Sequence, residues 1–406
     1  MICVEEALSI ILNEVGPLPP EQIDLCALTG RIAAKDIKAN ITHPPHNASA
    51  MDGYGVRFEE AQKGNILKVI GEAPAGRPFE GAVQEGECVR IFTGGVVPSG
   101  LDHIIIQEDV SRNGDRITIN ESQPSPAHIR RAGVDFHKGD VLVEAGTCFH
   151  ELHGALLASA NIAYTDVIAR PKVYLFSTGD ELREPGAVLG AGEIINSNHY
   201  ALTAMIKTWG GEPIYGGCLP DEKGPVIKAF DASADIIVPI GGASVGDYDV
   251  VKPAFLDAGG DIHFEKIAVR PGKPTWYGSI EQKGDRHRKA NLTRIIGLPG
   301  NPASAIVTAA LFLQPLVRVM AGHYSRTMRG GTAQLAAPLS KNGGRETYLR
   351  GRVEMQAGAG QATVVPFPNQ DSSLLSPFAS ANVLIRRMPG AEAALEGETV
   401  DIVWLR

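Results

Sequence analysis

Residues 172–322 alternate short apolar runs with amphipathic stretches of helical period. That alternation constrains the fold more than any other feature of the chain. A strand that is apolar on both sides must be covered on both faces, and crossover helices do this only for parallel strands. Three such runs occupy residues 173–176, 235–240 and 295–298. Each ends in a polar or glycine-rich turn: Ser177-Thr178-Gly179-Asp180-Glu181, Gly241-Gly242-Ala243-Ser244-Val245-Gly246 and Pro299-Gly300-Asn301-Pro302. Between the first two runs, Asn198 caps a helix whose inward face is Leu202, Met205, Ile206 and Trp209, stopped at Gly210-Gly211. The expected fold is a doubly wound parallel sheet. Such sheets bind ligands at the carboxyl ends of their strands, so the three turns gather at one edge.

The flanking segments read differently. Residues 1–40 begin as a helix with Val4, Leu8, Ile11, Leu12 and Val15 on one face, then break into turns. Residues 41–138 carry short β-rich runs at 66–70, 88–92, 103–107 and 116–119, separated by Gly, Pro and Asn clusters. Helical character returns around residues 152–160, and Arg170-Pro171 marks a boundary. The charged stretch 281–294 reads as a solvated loop. After Arg326, strands and glycine turns fit a small β-barrel. The expected organisation is a split N-terminal domain (1–40 and 139–170), an inserted β-rich domain (41–138), an α/β domain (171–325) and a C-terminal β-barrel (326–406).

Charge and cysteine usage exclude some classes. The 406 residues carry 38 Lys and Arg against 46 Asp and Glu, a net charge of −8. An acidic chain is poorly suited to nucleic acid, whose phosphates need a basic surface. Cys3, Cys26, Cys88, Cys148 and Cys218 form no CxxC pair and read as reduced thiols of a cytoplasmic protein. The acidic, helically patterned start lacks the basic n-region of a signal peptide. The most apolar stretch, residues 303–313, is short for a bilayer and is expected to stop at Gln314-Pro315. A membrane is not expected as a partner.

Several motifs fail on inspection. Gly272-Lys273 lacks the glycine a Walker A loop needs five positions earlier, where Ile267 stands. His150-Glu151-Leu152-His153 is one residue short of a zinc HExxH. His43-Pro44-Pro45-His46 reads as a stiff loop. What remains suits an anion. Asn301 caps a helix with Pro302 at its first position, leaving N–H groups free for a phosphate, or simply joining strand to helix. Gly241, Gly242 and Ser244 allow close backbone approach to a phosphate and the Asp247 and Asp249 pair in the same loop suits Mg²⁺, or the loop is a plain turn. Ser177, Thr178, Gly179 and Glu181 have the same placement. On a strand, Lys266 and Arg270 share a face, and Lys273 follows the Pro271-Gly272 turn. These cations suit an oxyanion or a phosphate, or line a solvated edge strand.

Together these segments resemble the molybdopterin molybdotransferase family, of MoeA and gephyrin E-domain type. The matching stretches are SAMDGYGVR (49–57), RIFTGGVVP (90–98), QEDV (107–110), RRAGVD (130–135), FSTGDEL (176–182), GGASVGDYD (241–249), VRPGKP (269–274), GLPGNPAS (297–304) and NQDSSLLSPFASAN (369–382). They span nearly the whole chain. The resemblance implies four domains and an elongated homodimer, with the active cleft between the α/β domain of one subunit and the β-rich domain of the other. It implies insertion of molybdate into adenylylated molybdopterin, with Mg²⁺-dependent cleavage of the phosphoanhydride and release of AMP. It implies Mg²⁺ as cofactor, molybdate as substrate, and the molybdopterin adenylyltransferase and molybdenum apoenzymes as further partners.

Carried over by position, the catalytic set is Asp52, Thr93, Asp135, Glu181, Asp221 and Asp249, with Glu181 and Asp249 as metal ligands. Ser177, Thr178, Gly179, Gly241, Gly242, Ser244, Pro299, Gly300, Asn301 and Pro302 fall on the pterin and phosphate. Lys266, Arg270, Lys273, Arg350 and Ser372 fall on molybdate. The chain departs from the family pattern at Ile240, where a serine is usual, and at Asn196, where an aspartate is usual. It also departs at Arg270 in place of lysine and at Asp371 in place of glycine. An adenylyltransferase that prepares the substrate uses a similar α/β domain, but the barrel and the β-rich insert argue against it. The acidic set argues against a pure scaffold.

Overall fold

A computed structural model describes residues 1–242, 250–281, 292–324, 329–354 and 362–405. The chain divides into two compact units. One comprises Gln22–Thr29 and Lys35–Asp166; the other comprises Met1–Glu21, Gly30–Ala34 and Val167–Arg406.

The first unit is built on six strands: β1 (Gly53–Val56), β2 (Ile66–Ala73), β3 (Glu87–Ile91), β4 (His103–Ile106), β5 (Val110–Asn113) and β6 (Arg116–Ile119). Their spatial order is β4-β1-β3-β2-β6-β5. Successive side chains point to opposite faces, so Cys88 and Ile105 join one apolar cluster while Val89 and Ile104 join another. The sheet therefore buries both faces. Gly53 of the SAMDGYG stretch is sterically required, since a Cβ there stands 2.0 Å from the Ile105 carbonyl oxygen.

The second unit contains a sheet of β7 (Lys172–Thr178), β8 (Glu212–Leu219), β9 (Ile236–Ile240), β10 (Asp261–Phe264), β12 (Trp276–Glu281) and β13 (Leu292–Gly297); β11 (Val269–Arg270) lies outside it. The order is β8-β7-β9-β13-β12-β10. Strands β8, β7, β9 and β13 are parallel, as the alternation predicts, whereas β12 runs antiparallel to both neighbours. The sheet is thus mixed. The expected 281–294 loop is partly strand: β12 ends at Glu281 and β13 begins at Leu292, and the two pair along their length.

Both faces are covered. Phe176, Phe230, Phe255 and Trp276 pack on one side. The other carries the helix Val4–Ile11, the helix Asn198–Thr208 and a long helix, Pro302–Met320. The long helix does not stop at Gln314-Pro315 as expected. A π turn, Ala309–Leu313, precedes Pro315 and carries the chain on to Met320. The wider turn relaxes the hydrogen-bond register that a proline interrupts. This helix is long and apolar enough to cross a membrane, but 89% of its apolar window is buried within the fold.

Beyond it, β14 (Gly330–Leu335), β15 (Glu346–Glu354), β16 (Thr363–Pro366), β17 (Val383–Arg387) and β18 (Thr399–Trp404) close a five-stranded barrel, in the order β15-β16-β14-β18-β17 and back to β15. Tyr348, Leu384 and Val403 of the barrel share one core with the α/β sheet. Strand β11 pairs in parallel with β15. Lys266 and Arg270 therefore do not share a strand face: β10 ends at Phe264, and Arg270 belongs to the barrel sheet.

Candidate functional site: strand-end loops and a cationic cavity

The parallel strands deliver their loops to one edge. Strand β7 ends in Ser177 and Thr178, both buried, followed by Gly179 at φ +148°. Gly241, at φ +99°, lies so close to β7 that a Cβ there stands 2.7 Å from the Thr178 carbonyl oxygen. A Cβ on Gly300 meets the Gly241 Cα at 3.7 Å. The STGDE, GG and LPGNP turns therefore touch one another. Ser244 and Asp249 lie outside the described residues. Asn301 occupies the N-cap of the long helix with Pro302 first in it, but its side chain makes no cap bond. It donates to Ser372 Oγ at 3.4 Å instead. Asn198 likewise does not cap. Ser197 holds that position, and Asn198 Nδ2 donates to the Gly300 carbonyl at 2.7 Å. Met205 of the same helix is only partly buried, whereas Leu202 and Ile206 are fully so.

Two buried polar atoms at this edge, Thr178 Oγ1 and Asn198 Oδ1, have no hydrogen-bond partner. Buried polar groups are nearly always satisfied, so this orphaned pair is open to a ligand or a water. Asn196 is knitted into the protein. It accepts from Ser177 Oγ at 3.1 Å and donates to Tyr215 Oη at 2.7 Å and Glu184 at 3.3 Å.

The carboxylates of this edge are close. The Asp221 N–H donates to Asp180 Oδ1 at 3.2 Å. Burial, helped by the Asp180 and Glu181 charges, raises the Asp221 carboxyl above its ordinary value, against the opposing bond it accepts from the Asp180 backbone. Among the described residues, no three acidic, His or Cys groups stand close enough to hold a metal ion alone. Mg²⁺ commonly takes one or two carboxylates and completes its shell with water and substrate phosphates. Hard oxygen donors that repel one another fit such an ion.

In the first unit, Asp52 and Thr93 form a pair. Asp52 Oδ1 accepts from the Thr93 N–H at 2.8 Å and from Thr93 Oγ1 at 2.9 Å. The Thr93 backbone bond is the main reason the Asp52 carboxyl lies below its ordinary range, helped by the nearby Arg90 charge. Arg90 is itself fixed over the rings of Tyr54 and Phe92. Asp135 is exposed and held through its backbone to the His43 carbonyl.

A cavity of about 830 Å³ lies between β11, the long helix and the barrel. It gathers Arg270, Lys273, Arg350 and Ser372. Lys266 is not part of its wall. Gly272, at φ +107°, presses the turn against the helix: a Cβ there stands 2.1 Å from Thr308 Cγ2.

Arg350 is only 2% exposed. Its Nε donates to Gln370, its Nη1 to the carbonyls of Asp371 and Leu374, and its Nη2 to those of Asn369 and Asp371. All five N–H groups of a guanidinium are thereby engaged. Arg350 thus spends its donors on the 369–374 loop that carries Ser372. That loop docks on the helix start, where the Ala303 N–H donates to the Ser372 carbonyl at 2.9 Å. The Asp371 carboxylate turns onto Ser373, accepting from its N–H and hydroxyl.

Sequence reasoning missed Arg345 and Arg387, which also line the cavity. The signal available was the pair Arg386-Arg387 at the end of an apolar strand. It missed Asn198 as a ligand-edge residue because its partner is 102 residues away.

A sheet edge of touching glycine loops, sharing a core with a barrel that carries a cation-lined cavity, is the equipment of a protein that holds anionic ligands. The chain matches three family models in succession: the MoeA N-terminal region (domain I and II) over residues 2–161, a probable molybdopterin binding domain over 174–319, and the MoeA C-terminal region (domain IV) over 332–405. It is 36% identical to a molybdopterin molybdenumtransferase of Haemophilus influenzae, over 99% of this chain and 98% of that protein. A Nostoc protein of the same name is 34% identical over 88% of this chain and 84% of its own length. A crystal structure of a molybdopterin biosynthesis MoeA protein from Pyrococcus horikosii superposes with a TM-score of 0.83 at 29% identity, covering 100% of this chain and 99% of that one. The chain belongs to the MoeA family, the molybdopterin molybdenumtransferases.

Proposed function

We propose that this protein inserts molybdenum into molybdopterin, taking adenylylated molybdopterin and molybdate and releasing AMP in a Mg²⁺-dependent step. The observation that carries the reading is the contact of the STGDE, GG and LPGNP turns at one edge, with Thr178 Oγ1 and Asn198 Oδ1 left unpaired there. A pterin nucleotide is rich in hydrogen-bond groups and negatively charged, and it suits both features.

The two substrates are anions that repel each other, so cations must hold them together. Arg270 and Lys273 supply charge to molybdate, and Arg350 acts through the Ser372 loop. Glu181, with Asp249, holds Mg²⁺, which neutralises phosphoanhydride charge when bound. Asp52 stays ionised because Thr93 donates to it twice. It orients a water by accepting its proton-bearing side. Asp135 and Asp221 complete the acidic set. The chain's carboxylates thus fall on both units, and we propose that a homodimer joins them. The four-domain division set out from the sequence is part of the same reading, as are a cytoplasmic location and hand-over to molybdenum apoenzymes. The five described cysteines are free thiols, which supports a reducing compartment.

The test is incubation of the purified chain with adenylylated molybdopterin, molybdate and Mg²⁺, reading AMP release and molybdenum on the pterin together. Release of AMP with molybdenum bound is the expected result. Attachment of AMP to free molybdopterin instead identifies an adenylyltransferase, and neither reaction identifies a scaffold.

A further inference from the structure

Three residues stand in one cross-strand row beside the cavity. Arg270 of β11 is in register with Thr347 of β15, and Thr347 is in register with Arg387 of β17. Register partners project from the same face of a sheet, and each adjacent strand adds about 5 Å. All three line the cavity.

Arg387 is the unusual member. It is 6% exposed, and its Nε has no hydrogen-bond partner. Its Nη2 donates to the Glu392 carbonyl. Among the described residues no carboxylate pairs with it, unlike its neighbour Arg386, which is bonded to Glu346 at 2.6 Å. Lys341 of the same wall is paired with Glu392 at 2.6 Å. Among the described residues of the wall the one carboxylate, Asp371, is turned onto Ser373. A buried guanidinium without a counter-charge is costly, and fold stability alone does not explain it. Arg350, by contrast, has its donors filled by the 369–374 loop.

We propose that Arg387 supplies counter-charge to a tetrahedral oxyanion bound in this cavity, acting with Arg270 and Lys273 as an affinity-determining residue. The inference deepens the proposed reaction and rests on it only in naming molybdate as that oxyanion.

The experiment is calorimetric titration of the full-length apoprotein with molybdate, and in separate arms with tungstate, sulfate and AMP, with no pterin present. Wild type binds molybdate. Arg387→Leu, which removes the unpaired charge, weakens binding about tenfold or more, the usual scale for a charged hydrogen-bond partner. Its melting temperature without anion is equal to or above that of wild type, because a structural brace would lower it. Arg387→Lys retains most of the affinity and Arg387→Gln does not, which keeps the test usable if the leucine variant folds poorly. Unchanged molybdate binding in the leucine and glutamine variants overturns the proposal, as does absence of oxyanion binding in wild type. AMP binding that is lost in parallel assigns the counter-charge to a phosphoryl group instead of molybdate. Normal oxyanion binding with no insertion activity leaves this inference standing and defeats the proposed reaction.

Discussion

Asp52 and Asp221 show how the same side chain is set to opposite states. Thr93 bonds hold Asp52 below the ordinary carboxylate range, and burial lifts Asp221 above it. A lowered carboxyl contributes stability that is present above its unfolded value and lost as pH falls through the folded one. Asp52 therefore adds no acid limb to the pH profile of AMP release in the neutral range. Asp221 has the reverse sign. Its ionised form is opposed in the fold, a penalty that sets in as pH rises past the unfolded value. Asp221→Asn is expected to melt at or above wild type at pH 7 and to match it below about pH 3, where the aspartate is neutral folded and unfolded. AMP release should nonetheless fall on the order of 10²-fold if Asp221 serves the reaction. Melting curves at both pH values, paired with the release assay, check this. A variant destabilised at pH 7 contradicts the sign.

Arg350 gives the second residue-scale expectation. Removing its guanidinium unfastens a loop held by carbonyls of Asn369, Asp371 and Leu374. Arg350→Met should cost about 2–4 kcal/mol, because several buried acceptors lose their donors at once. It should raise the molybdate requirement through displacement of Ser372. Urea denaturation separates this from direct anion contact: a variant with wild-type stability and weak molybdate binding points to direct contact.

Elements explain why part of this was legible. Strands β7, β9 and β13 each carry a continuous apolar run closed by turn residues, the pattern of strands covered on both faces. The Val4–Ile11 helix was legible in part: Val4 and Ile11 are buried, Leu8 only partly so, and Leu12 and Val15 are buried beyond the helix end. Strand β12 was hidden because Glu281 joins it to a charged stretch that reads as solvent-facing. The place of β11 in the barrel sheet was hidden because two residues pairing with a strand 77 positions on carry no local signature. Arg350 sits in an alternating barrel strand, where a lone arginine reads as outward. Only the positions of Gln370 and the loop carbonyls reveal that it points into the protein.

The β11 turn also carries a prediction of its own. Gly272→Ala places a methyl against Thr308 Cγ2 at 2.1 Å and forces a left-handed φ on alanine. The substitution should destabilise the chain by at least about 2 kcal/mol and move Arg270 and Lys273 relative to the cavity. Equal stability in chemical denaturation removes the turn from any role in positioning these cations.

At the scale of the whole molecule, the residues assigned to one reaction are divided between the two compact units. Asp52 and Thr93 belong to Lys35–Asp166, whereas Glu181 and Asp221 belong to Val167–Arg406. If each active site draws one unit from each subunit of a symmetric dimer, two inactive variants restore one another. A subunit carrying Asp52→Asn and a subunit carrying Glu181→Gln form a mixed dimer with one doubly altered site and one intact site. Random pairing at equal concentration makes half the dimers mixed, so about a quarter of wild-type sites return. Light scattering should give a dimer for wild type, for each variant and for the mixture. AMP release from the mixture near that quarter, with each variant alone inactive, is the expected result. A mixture as inactive as its components places every site within one subunit, and an active monomer removes the dimer from the mechanism.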